Sequence, residues 1–354
     1  MNSDTGNSHF LRFIAYLQVI GIILVVLGHS FHEYPDGVMG HSLLAYRMLY
    51  SFHMPLFMFI SGFLMVYTAK ATSEKTAASI SKFVRKKIER LLLPFVVLTV
   101  ITFVPRAMMS GMADDVFELS ASSFLRAFIY SENIPIPYFW FLQASFILLV
   151  FNYIVLSLGR KAGINSVVLF PSVILFFIFL PFAPVDFGTE FSLNEAVRLG
   201  VYFVSGCAYA RFRQNIDRVV PWASIPFLLL LTVLWAVLFF ATEHTGYVMA
   251  CSFFGILMCI SLSKILEARD ARFIDHLVGA NYLIFLLSWF CNVASQQILH
   301  HFVELPWWCY TILSLVSGIY VPWLCYRYLC AHPDSRWVKA TALLLGQSLN
   351  KRKG

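Results

Sequence analysis

The chain has 354 residues, of which 59% are hydrophobic and only 13% charged, with a formal net charge of +7. A water-soluble domain of this size carries about 25% charged residues. The composition therefore excludes a soluble globular protein and reads as one integral membrane domain filling residues 1–354. The positive balance needs no nucleic acid, because it follows from where the basic residues fall between apolar runs.

Ten apolar runs succeed one another, at about 10–30, 43–67, 91–109, 138–158, 166–182, 195–210, 220–241, 246–263, 277–299 and 306–329. Each approaches the ~20 residues that a bilayer-spanning helix needs. Runs such as Val173–Leu180 and Pro226–Phe240 do not alternate as barrel strands would. The expected architecture is an all-α bundle of about ten transmembrane helices. Basic residues gather at Lys70–Arg90, Arg160–Lys161, Arg211–Arg218, Lys264–Arg272 and Arg327–Lys353, which fall on one side if there are ten spans. The other side holds only Arg47, Arg106, Arg126 and Arg198, with the acidic Asp114, Asp115, Glu118, Asp186 and Glu190. This asymmetry puts both termini in the cytoplasm. The first span, lacking a small-residue cleavage site after it, reads as a retained signal anchor in the plasma membrane. The seven cysteines show no CxxC or CxxH spacing, so neither a disulfide framework nor a zinc site is expected.

Polar residues interrupt the first two spans. In "GIILVVLGHSFHEY" (21–34), His29 ends a run of apolar residues, and Gln18 precedes it by eleven positions. Eleven helical steps return to within ~20° of the same direction, about 16 Å further along. His29, His32 and Glu33 share a stripe if the helix continues. One reading is an interfacial histidine bonded to a neighbouring helix; another is a proton acceptor whose tautomer Glu33 sets; a metal site is a third. Span two, "YRMLYSFHMPLFMFISGFLM", carries His53 two residues before Pro55, which should kink the helix. His53 is either a satisfied packing histidine or a second polar group facing the same cavity as His29. The next segment, "SKFVRKKIERLLLP", places Lys87 and Arg90 three apart. They read as positive-inside charge, as a contact for anionic membrane lipid, or as a clamp for a phosphorylated donor. Part of 110–137 is expected to form a short amphipathic helix. Tyr138, Trp140, Trp307 and Trp308 either belong to an interfacial aromatic belt or stack on sugar rings.

Taken together, "ILVVLGHS", "SFHMPLFMFISGFL" and "RLLLP", followed by "YFWFL" (138–142), "YFVSGCAYAR" (202–211) and "LVGANYLIFLL" (277–287), resemble the acyltransferase-3 family of integral membrane acyltransferases. The resemblance implies about ten spans and transfer of an acyl group, most often acetyl, from cytoplasmic acyl-CoA to a hydroxyl of a cell-surface carbohydrate or lipid-linked glycan. The acyl-CoA is a donor substrate; no permanently bound cofactor or metal is implied. In this picture His29 is the catalytic base oriented by Glu33. Gln18 and His53 hydrogen-bond the thioester or its developing oxyanion, Lys87 and Arg90 hold the coenzyme phosphates, and Tyr138 and Trp140 stack on the acceptor. Three departures stand out. The family's Arg, ten residues, His motif has Gln18 in the arginine place. Its Arg-x-x-Arg reads Lys87-Ile88-Glu89-Arg90. The histidine that many members carry after the last "YLL" element is absent from "LLSWF", which holds Ser288 and Trp289. A transporter or flippase of lipid-linked sugars, or an acyltransferase relative without activity, are the alternatives.

Overall fold

A backbone surrounded by lipid must satisfy its own polar groups, and helix is how a single segment does so. The computed structural model describes residues 11–31, 41–71, 77–108, 118–241, 248–302 and 305–347. It is 85% helix, with no strand among the described residues. Where they are described, the predicted runs fall mainly on helix. Among the described residues, six stretches are long and apolar enough to cross a membrane: Arg12–Ser30, Leu43–Thr68, Ile80–Met108, Pro137–Lys161, Met249–Ala268 and Trp307–Ala331. Ser166–Phe182 and Ile225–Ala241 are apolar but shorter. The chain is thus a multi-pass membrane protein with six clear candidate spans where about ten were expected. The helices are α1 (Arg12–Ser30), α2 (His41–Tyr50), α3 (His53–Ala71), α4 (Ala77–Lys87), α5 (Leu93–Met108), α6 (Ala121–Ile129) and α7 (Trp140–Lys161). They continue with α8 (Ser166–Phe179), α9 (Leu193–Val219), α10 (Ile225–Ala241), α11 (Val248–Ala268), α12 (Asn281–Phe302), α13 (Trp307–Ala331) and α14 (Arg336–Leu344).

The chain divides into two compact units, Met1–Ser73 with Ala208–Trp323, and Glu74–Cys207 with Leu324–Gly354. In the first unit α1 is the central element, packed against α3, α11 and α12. Tyr16, Leu17, Val19, Ile22 and Val26 are fully buried along it. Gly21 and Gly28, seven apart and so on one face, admit aromatic rings from the neighbouring span. A Cβ on Gly21 would meet the Phe57 ring at 3.1 Å, and one on Gly28 would meet Tyr50 at 3.3 Å.

Both ends of α1 are fastened by side chains from elsewhere in this unit. At the N-terminus no local side chain caps the helix. Glu267 of α11 does so instead, accepting from the Phe13 amide at 3.1 Å, which also sets a carboxylate against the positive end of the helix dipole. Arg12 pairs with Asp270 and Asp275, and the Tyr16 hydroxyl donates to Asp275 at 2.9 Å. Hydrogen bonds from Arg12 and then Arg272 hold the Asp270 carboxyl below its usual range. At the other end, the buried Gln296 of α12 donates to the Ser30 carbonyl at 3.2 Å.

Between α2 and α3 the helix breaks at Ser51–Phe52, as Pro55 dictates. Proline has no N–H, and its ring clashes with the carbonyl four residues back, that of Ser51. Ser252 of α11 donates to that carbonyl, the Trp235 indole donates to the Ser51 hydroxyl at 3.2 Å, and the Phe52 ring fills the space over Gly255.

In the second unit a π-helical turn, Ile88–Leu92, joins α4 to α5. Its cause is Pro94, which cannot bond the carbonyl of Arg90 four residues earlier, so the Leu93 amide reaches back five residues to Ile88. The turn ending α14 seats Gly346, at φ +60°, against that same Arg90 carbonyl, 2.6 Å from where a Cβ would stand. The short helix expected within 110–137 is α6, capped by Ser120, whose side chain accepts from the Ser123 amide. Gln143 donates to the Phe128 carbonyl at the end of α6 and accepts from Ser192 at 2.7 Å.

Gly318 of α13 lies where side chains of α1 and α12 press against its backbone. A methyl group there would lie 2.1 Å from the Asn292 amide and 2.8 Å from Val26. Gly318→Ala is expected to lower stability by about 1–3 kcal/mol through overpacking, read as a fall in the thermal unfolding midpoint in detergent. The same change at Gly163, which has nothing within 4 Å of its Cβ position, strains the backbone alone and serves as the comparison.

Candidate active site

His29 stands in the last turn of α1, half-buried. Tyr50, the last residue of α2, comes to it across the space that Gly28 leaves. The Tyr50 hydroxyl and His29 Nδ1 are 3.4 Å apart, and the two rings meet edge-on with centroids 6.2 Å apart. On its other side Tyr50 contacts His53, edge-on at 4.5 Å between centroids. The two histidines singled out in the sequence are therefore brought together, with a tyrosine between them.

His53 is fully buried and placed by the helix break. Its Nδ1 lies 2.8 Å from the Leu49 carbonyl. A carbonyl only accepts, so Nδ1 carries the proton and the neutral ring leaves Nε2 as an acceptor. Nε2 has no partner among the described residues. The same reasoning frames His29. When its Nδ1–H donates to the Tyr50 oxygen, Nε2 is the ring nitrogen that can accept a proton.

Other predicted residues fall elsewhere. Gln18 is half-buried on α1 three turns from His29, so the two line one stripe without meeting. Glu33 and His32 lie outside the described residues. Lys87 is half-buried at the end of α4, its Nζ 5.1 Å above the Phe83 ring, which is itself stacked on Tyr153 at 4.0 Å. Arg90 is exposed within the π turn, and Glu89 pairs with Arg85 at 2.9 Å. Tyr138 is 3% exposed in the short turn at Pro137–Phe139. Trp140 keeps part of its surface open. Trp307 is half exposed and lies 6.4 Å from the Phe31 ring, just past His29. No group of three metal-ligating side chains occurs among the described residues.

Two residues were missed in the sequence. Tyr50 sits three positions before His53, and only knowledge of the break turns that spacing into a contact with His29. Gln296 caps α1 from a helix far along the chain, and no local pattern marks it.

A half-buried histidine beside a phenol therefore lies at the end of an apolar helix. A family model for the acyltransferase-3 acyltransferase domain matches residues 11–327. The chain belongs to that family and is a membrane acyltransferase. No curated protein matches it, and no solved structure does. Tyr50→Phe keeps the ring between the histidines but removes the hydroxyl. It is expected to lower acyl transfer about tenfold, the value of one hydrogen bond to a group that becomes charged, while the unfolding midpoint stays close to that of the unaltered protein.

Proposed function

We propose that the protein is an O-acyltransferase, most simply an O-acetyltransferase, moving an acyl group from cytoplasmic acyl-CoA to a hydroxyl of an extracytoplasmic or lipid-linked glycan. The observation that carries this reading is the His29–Tyr50 pair at the end of an otherwise apolar helix. His29 Nε2 takes the proton of the acceptor hydroxyl as its oxygen bonds to the thioester carbon. The carbon–sulfur bond then breaks, and the proton passes to the coenzyme thiolate. The Tyr50 hydroxyl is directed at the developing oxyanion. It replaces His53 in that role, because a neutral His53 held through Nδ1 offers an acceptor and an oxyanion needs a donor. His53 Nε2 instead receives an N–H or O–H of a substrate. Gln18 supplies an uncharged donor along the same stripe, and Glu33 remains a candidate partner for His29. Trp307, beside Phe31, offers a face to the acceptor. The topology that goes with this activity is ten crossings of the plasma membrane with both termini cytoplasmic. The six clear spans, the two shorter apolar helices, α9 and α12 supply the ten. The whole chain works as one acyltransferase domain, in keeping with a family match that runs through both units.

His29→Ala is expected to reduce acylation of the cell's surface glycans by about 10²–10⁴-fold, the usual weight of a general base, with membrane insertion unchanged; full activity would remove the mechanism. In membranes given labelled acetyl-CoA, release of free coenzyme that depends on an acceptor separates an enzyme from a flippase or an inactive relative. For the donor phosphates, Lys87→Ala with Arg90→Ala should raise the Michaelis constant for acetyl-CoA about tenfold or more, with turnover at saturation retained. An unchanged constant would return both residues to the role of membrane-surface charge.

A further inference from the structure

The last four carbonyls of a helix have no partner within it, and in α1 these belong to the turn that bears His29. Helices often end in a left-handed residue that folds the chain back onto such carbonyls. Here the C-cap Phe31 is extended, at φ −70° and ψ 99°. The Ser30 hydroxyl bonds the Val26 carbonyl at 2.7 Å, and the Ser30 carbonyl is met by Gln296 Nε2 at 3.2 Å. The second hydrogen of that amide goes to the Ser314 hydroxyl of α13 at 3.1 Å. One turn earlier on α12, Asn292 is best satisfied with its nitrogen toward the carbonyls of Ser314, at 2.9 Å, and Ser288, at 3.2 Å. Gln296, Asn292, Ser30 and Ser314 are all at most 3% exposed. A glutamine this deep is costly unless both its hydrogens are used, and here they are.

We propose that Gln296 and Asn292 are positioning residues that fix the last turn of α1, and with it the height and rotation of His29. Asn292 joins α12 to α13, Gln296 joins that pair to the Ser30 carbonyl, and His29 is the neighbouring residue in the same turn. The inference rests on His29 being the base, but its readout does not depend on acyl transfer.

The test is carbethoxylation of individual histidines by diethyl pyrocarbonate in the full-length protein in detergent, followed by peptide mass spectrometry. Gln296→Met keeps the length of the side chain and removes the donor. His29 should then label about fivefold faster, the local opening that a lost buried hydrogen bond allows, while His53, anchored at the helix break, labels as before. Ser314→Ala leaves Gln296 in place but removes its second partner, and should give a smaller rise at His29 in a protein that folds normally. In the acetyl-CoA assay Gln296→Met should lower turnover by a similar factor without changing the Michaelis constant for the donor. An unchanged His29 labelling rate in both variants overturns the proposal. So does an equal rise at His53, which reports general loosening. Should His29→Ala retain acyl transfer, the catalytic reading fails, while the labelling result still decides whether α12 sets the position of His29.

Discussion

The arrangement depends on a helix whose terminal amides and carbonyls are met by side chains from distant helices. Each unpaired backbone group left in an apolar setting costs on the order of 1–3 kcal/mol. α1 presents such groups at both termini, where its N-cap Leu11 makes no side-chain cap and its C-cap Phe31 is extended. Glu267 answers the amides and Gln296 answers a carbonyl. The helix is consequently held by its ends as well as by its sides. Its fully buried flank, with glycines admitting Phe57 and Tyr50, supplies the apolar contact, and the two polar anchors set where along its axis it rests.

The break at Ser51–Phe52 follows the same rule in the neighbouring span. Pro55 withholds one hydrogen bond, and the side chains of Ser252, Trp235 and His53 close around the disturbed turn. His53 thereby has a structural duty at Nδ1 and an unused nitrogen at Nε2. The break also ends α2 at Tyr50, which directs that ring toward His29 instead of letting it continue along a straight helix. A single proline so accounts for the tautomer of one histidine and for the partner of another.

The helical class, the apolar runs and the family were legible because hydropathy and short contiguous motifs are local properties. The His29–His53 proximity was legible in part, since both lie in motifs that resemble one family. Tyr50 was not, because its role depends on a broken helix and on the absence of a side chain at Gly28. Gln296 and Glu267 were not, because a polar residue capping a helix some 250 positions away in the chain leaves no period or spacing to read. The burial of Tyr138 was not legible for a related reason, since an aromatic residue near a span end reads as interfacial until its packing is seen. The span count was less legible than the runs themselves. α9 carries Glu195, Arg198, Arg211, Arg213, Asp217 and Arg218 within one continuous helix, so its length overstates its apolar reach.

The π turn before α5 has a bearing on what chain-length variation this segment tolerates. Such a turn holds one more residue than regular helix, which swings everything beyond it by about 100° about the axis. α4, rich in lysine and arginine, and α5, rich in valine, leucine and phenylalanine, are thereby set out of phase without any intervening loop. Losing a single residue between Ile88 and Leu92 would rotate the apolar stripe of α5 away from α6, an error equivalent to repainting every surface of the helix at once. Surface loops absorb insertions and deletions readily; these five residues act as a gear tooth, and their number is as constrained as their identity.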